Sequence, residues 1–151
     1  MKDISKQAVV QEFLRQLDEK IDGYQFALDQ LSISVLNETK STAGDKHETA
    51  LSMLQLEQSQ VAKHLYDAID NKTVFSQINF VDESSEARMG SLVQTNLGLY
   101  LLSVALPKIM IDNQTVIAIS IKSPLGEQLM GKKVGETVEV NSIKHTLLDL
   151  L

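Results

Sequence analysis

The sequence predicts an α+β protein: an antiparallel coiled-coil helical hairpin over residues 1–71, then a small strand-rich domain with one short helix over residues 72–151. Three observations carry this. Apolar residues recur at heptad spacing through the first part of the chain. A short polar stretch, Glu38 to Gly44, interrupts them once. Beyond Asp70 the pattern changes to short runs of β-branched and aromatic residues punctuated by Gly and Pro.

The first helical run is predicted from Ile4–Ser5 to about Asn37. Its apolar residues are Val10, Leu14, Leu17, Ile21, Tyr24, Leu28, Leu31 and Val35, with steps alternating between four and three. Such a seam suits helix-on-helix packing. The second run, about Asp45 to Asp70, repeats the rhythm at Leu51, Leu54, Gln58, Val61, Leu65 and Ala68. Gln58 is a polar seam residue of the kind that fixes register. So short a connection makes the helices antiparallel neighbours. From Val10 to Val35 such a stalk is about 38 Å long, at roughly 1.5 Å per residue. A two-helix seam is too narrow to be a self-sufficient domain, so the hairpin is either a projecting arm or half of a dimeric bundle.

After Asp70 a strand or turn is expected around Val74–Val81, then strands near Ser91–Asn96, Leu97–Ala105 and Thr115–Ile121. Pro124 suits the first turn of a short helix through Met130, and Gly131 suits its end. Thr137–Val140 and Lys144–Leu150 read as a closing hairpin.

The net charge is −6, with −5 in residues 1–70, which gives no general attraction to nucleic acid or to anionic lipid. The absence of cysteine excludes disulfides, thiol catalysis and cysteine-ligated metals. The N-terminal residues lack a signal-peptide core, and the longest apolar run, Leu97–Leu106, is too short to span a bilayer. A cytoplasmic protein is expected, with no membrane contact and no DNA binding.

The hairpin tip carries Asp45 and Glu48, three residues apart behind Gly44. The pair admits two readings. Asp45 can cap the second helix, with Glu48 reaching back as in a capping box. Alternatively, both carboxylates project to one side of a first turn. Two carboxylates with water are a magnesium ligand set, weak when alone. Inserted into another protein's active site, they could complete a second metal site for phosphodiester cleavage. His47, between them, reads as surface. His64 and His145 have no second ligand nearby in sequence.

Two motifs in this order resemble the Gre factors, the GreA/GreB transcript-cleavage proteins. One is Gly44-Asp45-Lys46-His47-Glu48, similar to the family's G-D-x-x-E. The other is Ser123-Pro124-Leu125-Gly126, continuing through Leu129-Met130-Gly131-Lys132-Lys133-Val134-Gly135 to Val138-Glu139-Val140. The resemblance implies an FKBP-like antiparallel sheet around a short helix, Leu125 to Met130. It implies docking at the rim of the RNA polymerase secondary channel through Ser123, Pro124 and Leu125. It also implies that Asp45 and Glu48 reach the polymerase active centre as catalytic cofactor residues. They would hold Mg²⁺ only together with the polymerase site, so that the polymerase cuts backtracked RNA. The protein would then be a monomer without catalysis of its own, meeting the nascent RNA 3′ end indirectly.

The chain departs from the family where Glu48 is followed by Thr49-Ala50-Leu51-Ser52, where Lys122 precedes Ser123, and in its acidic stalk. These departures keep two other readings in view. One is a channel-occupying regulator or inhibitor without cleavage. The other is a coiled-coil scaffold whose tip carboxylates only cap a helix. Prolyl isomerase activity would rest on fold alone, and aromatics are only 5% of the chain, with no Trp to line such a pocket.

Overall fold

The computed structural model describes residues 4–40 and 44–151, and of residues 44–46 the backbone alone. Two long helices come first, α1 (Lys6–Thr39) and α2 (Gly44–Ser76). Strands β1 (Leu92–Thr95), β2 (Gly98–Ser103), β3 (Leu106–Ile111) and β4 (Gln114–Ser120) follow. A short helix α3 (Pro124–Leu129) precedes β5 (Thr137–Val140) and β6 (Ile143–Leu150). Contacts divide the chain into two compact units: Gln16–Lys72, and Met1–Arg15 with Thr73–Leu151.

The first unit is the helical hairpin. Along α1, Ile21, Tyr24, Leu28, Leu31 and Val35 are half-buried while the residues between them are mostly exposed, which is the heptad seam read from sequence. On α2, Leu51, Leu54, Gln58 and Val61 are half-buried, and Leu65 and Ala68 are fully so. The two seams face each other within the chain. Tyr24 stacks on His64 at 5.6 Å, Gln58 Nε2 donates to Ser32 Oγ at 3.3 Å, and Lys72 pairs with Asp18. A pair of helices covers only one stripe of each, so burial stays partial toward the tip.

The second unit holds a six-stranded sheet in the order β3-β4-β2-β1-β6-β5. Every pairing is antiparallel except β2 with β4, which run parallel, so the sheet is mixed where a purely antiparallel one was expected. β2 lies at the centre. Leu99 to Ser103 are all buried, hence its unbroken apolar run in place of alternation. One core gathers Ala87, Val93, Leu102, Leu129, Val138 and Leu147, with Leu125 and Met130 of the α3 segment packed against it. In the same unit Phe75 is fully buried, 6.0 Å from Phe13 and 4.8 Å from Phe80 between ring centroids.

Two expectations are corrected. The second helix does not end near Asp70: α2 runs on to Ser76, because Phe75 extends the heptad rhythm past Ala68 and is buried there, and of the strand or turn expected at Val74–Val81 only a turn follows. Asn79 then stops the chain in a side-chain turn, its Oδ1 accepting from the N–H groups of Val81 (3.0 Å) and Asp82 (3.2 Å). An additional strand, β3, forms a hairpin with β4. Its two turn residues, Asp112 and Asn113, both have positive φ (49° and 61°), the backbone that matches strand twist in a two-residue loop.

Candidate functional site

The predicted site residues fall in different units: Asp45 and Glu48 in the hairpin, Ser123, Pro124 and Leu125 at the start of α3. Because α2 begins at Gly44, Asp45 and Glu48 both lie on helical backbone three residues apart. The N-cap position expected at Asp45 precedes Gly44 and lies outside the described residues. The Glu48 side chain is exposed. Beside it, His47 is half-buried, and its Nδ1 lies 3.2 Å from Glu38 Oε1 across the hairpin. Sequence reading set His47 aside as plain surface and did not single out Glu38. The signal was present in spacing: Glu38 follows Leu31 and Val35, and His47 precedes Leu51 and Leu54, each at seam intervals.

Two carboxylates on one turn, one of them exposed, offer hard oxygen donors suited to Mg²⁺. Among the described residues no group of three or more His, Cys, Asp or Glu side chains could hold a metal ion. Two carboxylates alone would hold such an ion weakly, and further ligands would be needed.

The Ser123–Gly126 turn is built from its own hydrogen bonds. Ser123 is the N-cap of α3: its Oγ accepts from Gly126 N–H (3.1 Å) and donates to the Ser120 carbonyl (2.6 Å). Pro124 occupies the first turn, where a missing N–H costs nothing. Gly126 is obligatory on space alone, since a Cβ there would lie 2.0 Å from the Ser120 carbonyl oxygen. Leu125 is half-buried against the core, while Lys122 and Pro124 are exposed. The sequence signature S-P-L-G thus encodes a strand-to-helix corner.

A third polar group lies within the sheet. His145 (7% exposed) meets Tyr100 edge-on at 5.7 Å, and its Nδ1 is 3.2 Å from Thr95 Oγ1. Thr95 Oγ1 already accepts from Leu97 N–H (3.1 Å), which suits its hydroxyl to donate to a neutral imidazole. Burial lowers the His145 pKa and raises that of Tyr100. The Thr95–His145 contact thus accounts for one ring nitrogen of this buried imidazole.

The chain thus combines a long helical hairpin with a six-stranded sheet and one short capped helix. Residues 109–148 match the family described as "Transcription elongation factor, GreA/GreB, C-term". The matched segment runs from β3 through α3 to β6, so this part of the chain is similar to a GreA/GreB C-terminal domain, in line with the resemblance. A solved structure of the transcription factor Gfh1 is similar over 89% of each chain, at 14% identity and a TM-score of 0.37. That likeness is too low to bear on function. No curated protein matches the chain by sequence. Among the described residues no helix is long and apolar enough to cross a membrane.

Proposed function

We propose that this protein is a Gre-type elongation factor that binds RNA polymerase and stimulates cleavage of backtracked RNA. In this reading the α3 corner, with Ser123, Pro124 and Leu125, docks the protein at the rim of the polymerase secondary channel. The hairpin enters the channel. Asp45 and Glu48 meet the polymerase active centre, where they would hold Mg²⁺ jointly with polymerase ligands. Such an ion supplies charge neutralisation and an activated water for phosphodiester cleavage. The protein's own residues bind and orient; the cutting belongs to the polymerase, and this chain is its cofactor.

The observation that carries the reading is the combination of a GreA/GreB C-terminal match at residues 109–148 with a separate hairpin whose first α2 turn bears Asp45 and an exposed Glu48. The pairing of the two seams within one chain also speaks against a scaffold that needs a second copy to bury them. A second reading, a channel-occupying regulator without cleavage, draws on the acidity of α1. Between Gln16 and Thr39 that helix has one cation, Lys20, against five carboxylates. Such a face does not favour RNA.

A cleavage assay on stalled, backtracked elongation complexes of the cognate polymerase separates these readings. The proposal expects shortened RNA with a released 3′ fragment on addition of the native protein. Binding without cleavage would move the assignment to the regulator, and failure to bind would refute both.

A further inference from the structure

At the end of the hairpin the seam stops being apolar. Among the described residues its last layer is the Glu38–His47 pair, each residue half-buried, with Asn37, Thr39 and Glu48 around them exposed. An apolar pair here would be washed by water on most sides and would fix no orientation. A hydrogen bond between a carboxylate and an imidazole is directional and stronger than a neutral one. The 3.2 Å contact joins the end of α1 to the first turn of α2, nine residues on. Glu48 is the next residue after His47, and Asp45 lies two before it. Holding His47 therefore fixes the rotation of the turn that carries both carboxylates.

We infer that Glu38 is a positioning residue for the tip: through His47 it holds in place the first helical turn of α2, whose backbone carries Asp45 and Glu48. The inference rests on the proposed cleavage function for its purpose, though the clamp itself can be measured in the free protein. Carboxylates that must meet a metal site in another protein cannot be aimed by a frayed first turn. Misplacement of a reacting group by about 1 Å can cost roughly a hundredfold in rate.

The test uses the full chain, native and with Glu38→Ala or Glu38→Gln. Gln keeps an oxygen that accepts from His47, whereas Ala removes it. In the free protein, amide hydrogen exchange at residues 48–51 should rise about tenfold in Glu38→Ala and stay within about twofold in Glu38→Gln. Exchange around Leu65–Ala68 should not change. On backtracked polymerase complexes at saturating protein, Glu38→Ala should cut cleavage about ten- to a hundredfold without altering the concentration needed for half-saturation. Glu38→Gln should restore the rate. Native exchange at the tip of Glu38→Ala, or a native cleavage rate, overturns the inference. If the native protein itself gives no cleavage while tip exchange responds as described, the cleavage reading has failed and the clamp stands as a fastener only.

Discussion

Replacing Gly126 by alanine would place a Cβ 2.0 Å from the Ser120 carbonyl oxygen and 2.9 Å from Ser123 Oγ. A carbon and an oxygen normally approach no closer than about 3.3 Å, so one side must move by about 1.3 Å. The Ser120 carbonyl is held in place, accepting from Ser123 N–H at 3.0 Å and from Ser123 Oγ at 2.6 Å. Moving it breaks bonds worth about 1 kcal/mol each, on top of an overpacking cost of about 1–3 kcal/mol. We expect Gly126→Ala to destabilise the sheet unit by about 3 kcal/mol, a fall of roughly 12–24 °C in its melting temperature. Gly131→Ala is the control. Its φ is +79° and nothing lies within 4 Å of the added carbon, so only backbone strain of about 1 kcal/mol applies. Calorimetry, with strand amide signals followed by NMR, reads both. Equal losses for the two variants, or a loss below about 1 kcal/mol for Gly126→Ala, would refute the steric account of the S-P-L-G corner.

Acid should weaken the sheet unit through His145. Its folded pKa is lowered by burial, so below about pH 6.5 the unfolded chain binds a proton that the folded one refuses. Stability then falls as pH drops from there toward the folded pKa, by at most about 1.4 kcal/mol per pH unit, and levels off below it. Urea unfolding across that window should show the slope, and His145→Gln should remove it. Phe75→Ala empties a fully buried site between Phe13 and Phe80 and should cost about 3–5 kcal/mol in denaturant unfolding. Light scattering should give a monomer, because the two seams are paired within the chain; a stable dimer would favour the scaffold reading.

The hairpin was legible because its physics is periodic. The half-buried residues Ile21, Tyr24, Leu28, Leu31 and Val35 are those that alternate steps of three and four pick out. Toward the start of α1 the rule gave way: Val9 and Phe13 are buried where Val10 and Leu14 are only half so. There the helix belongs to the unit that contains the sheet, and a two-helix rhythm no longer decides which side is covered. Strand β3 was hidden by Pro107 and by a register irregularity between Leu106 and Ile109, both features of an edge strand. The end of α2 was hidden because Asn71, Lys72 and Thr73 are polar, while the residue that extends the helix, Phe75, comes after them. The Glu38–His47 pair was legible only as a continuation of the seam spacing at Leu31, Val35 and Glu38 and at His47, Leu51 and Leu54, since no sequence motif marks it and polar residues do not stand out in an apolar pattern.

The measurement that bears most directly on the proposed function is the Mg²⁺ dependence of transcript cleavage on backtracked complexes, with the native protein and with Asp45→Asn/Glu48→Gln. If the tip carboxylates help to hold a metal ion, the native protein should reach half-maximal cleavage at a Mg²⁺ concentration about tenfold or more below that of polymerase alone. The double variant should still compete with the native protein for polymerase, yet follow the Mg²⁺ curve of polymerase alone. A double variant that stimulates cleavage as the native protein does, at every Mg²⁺ concentration, would contradict the account.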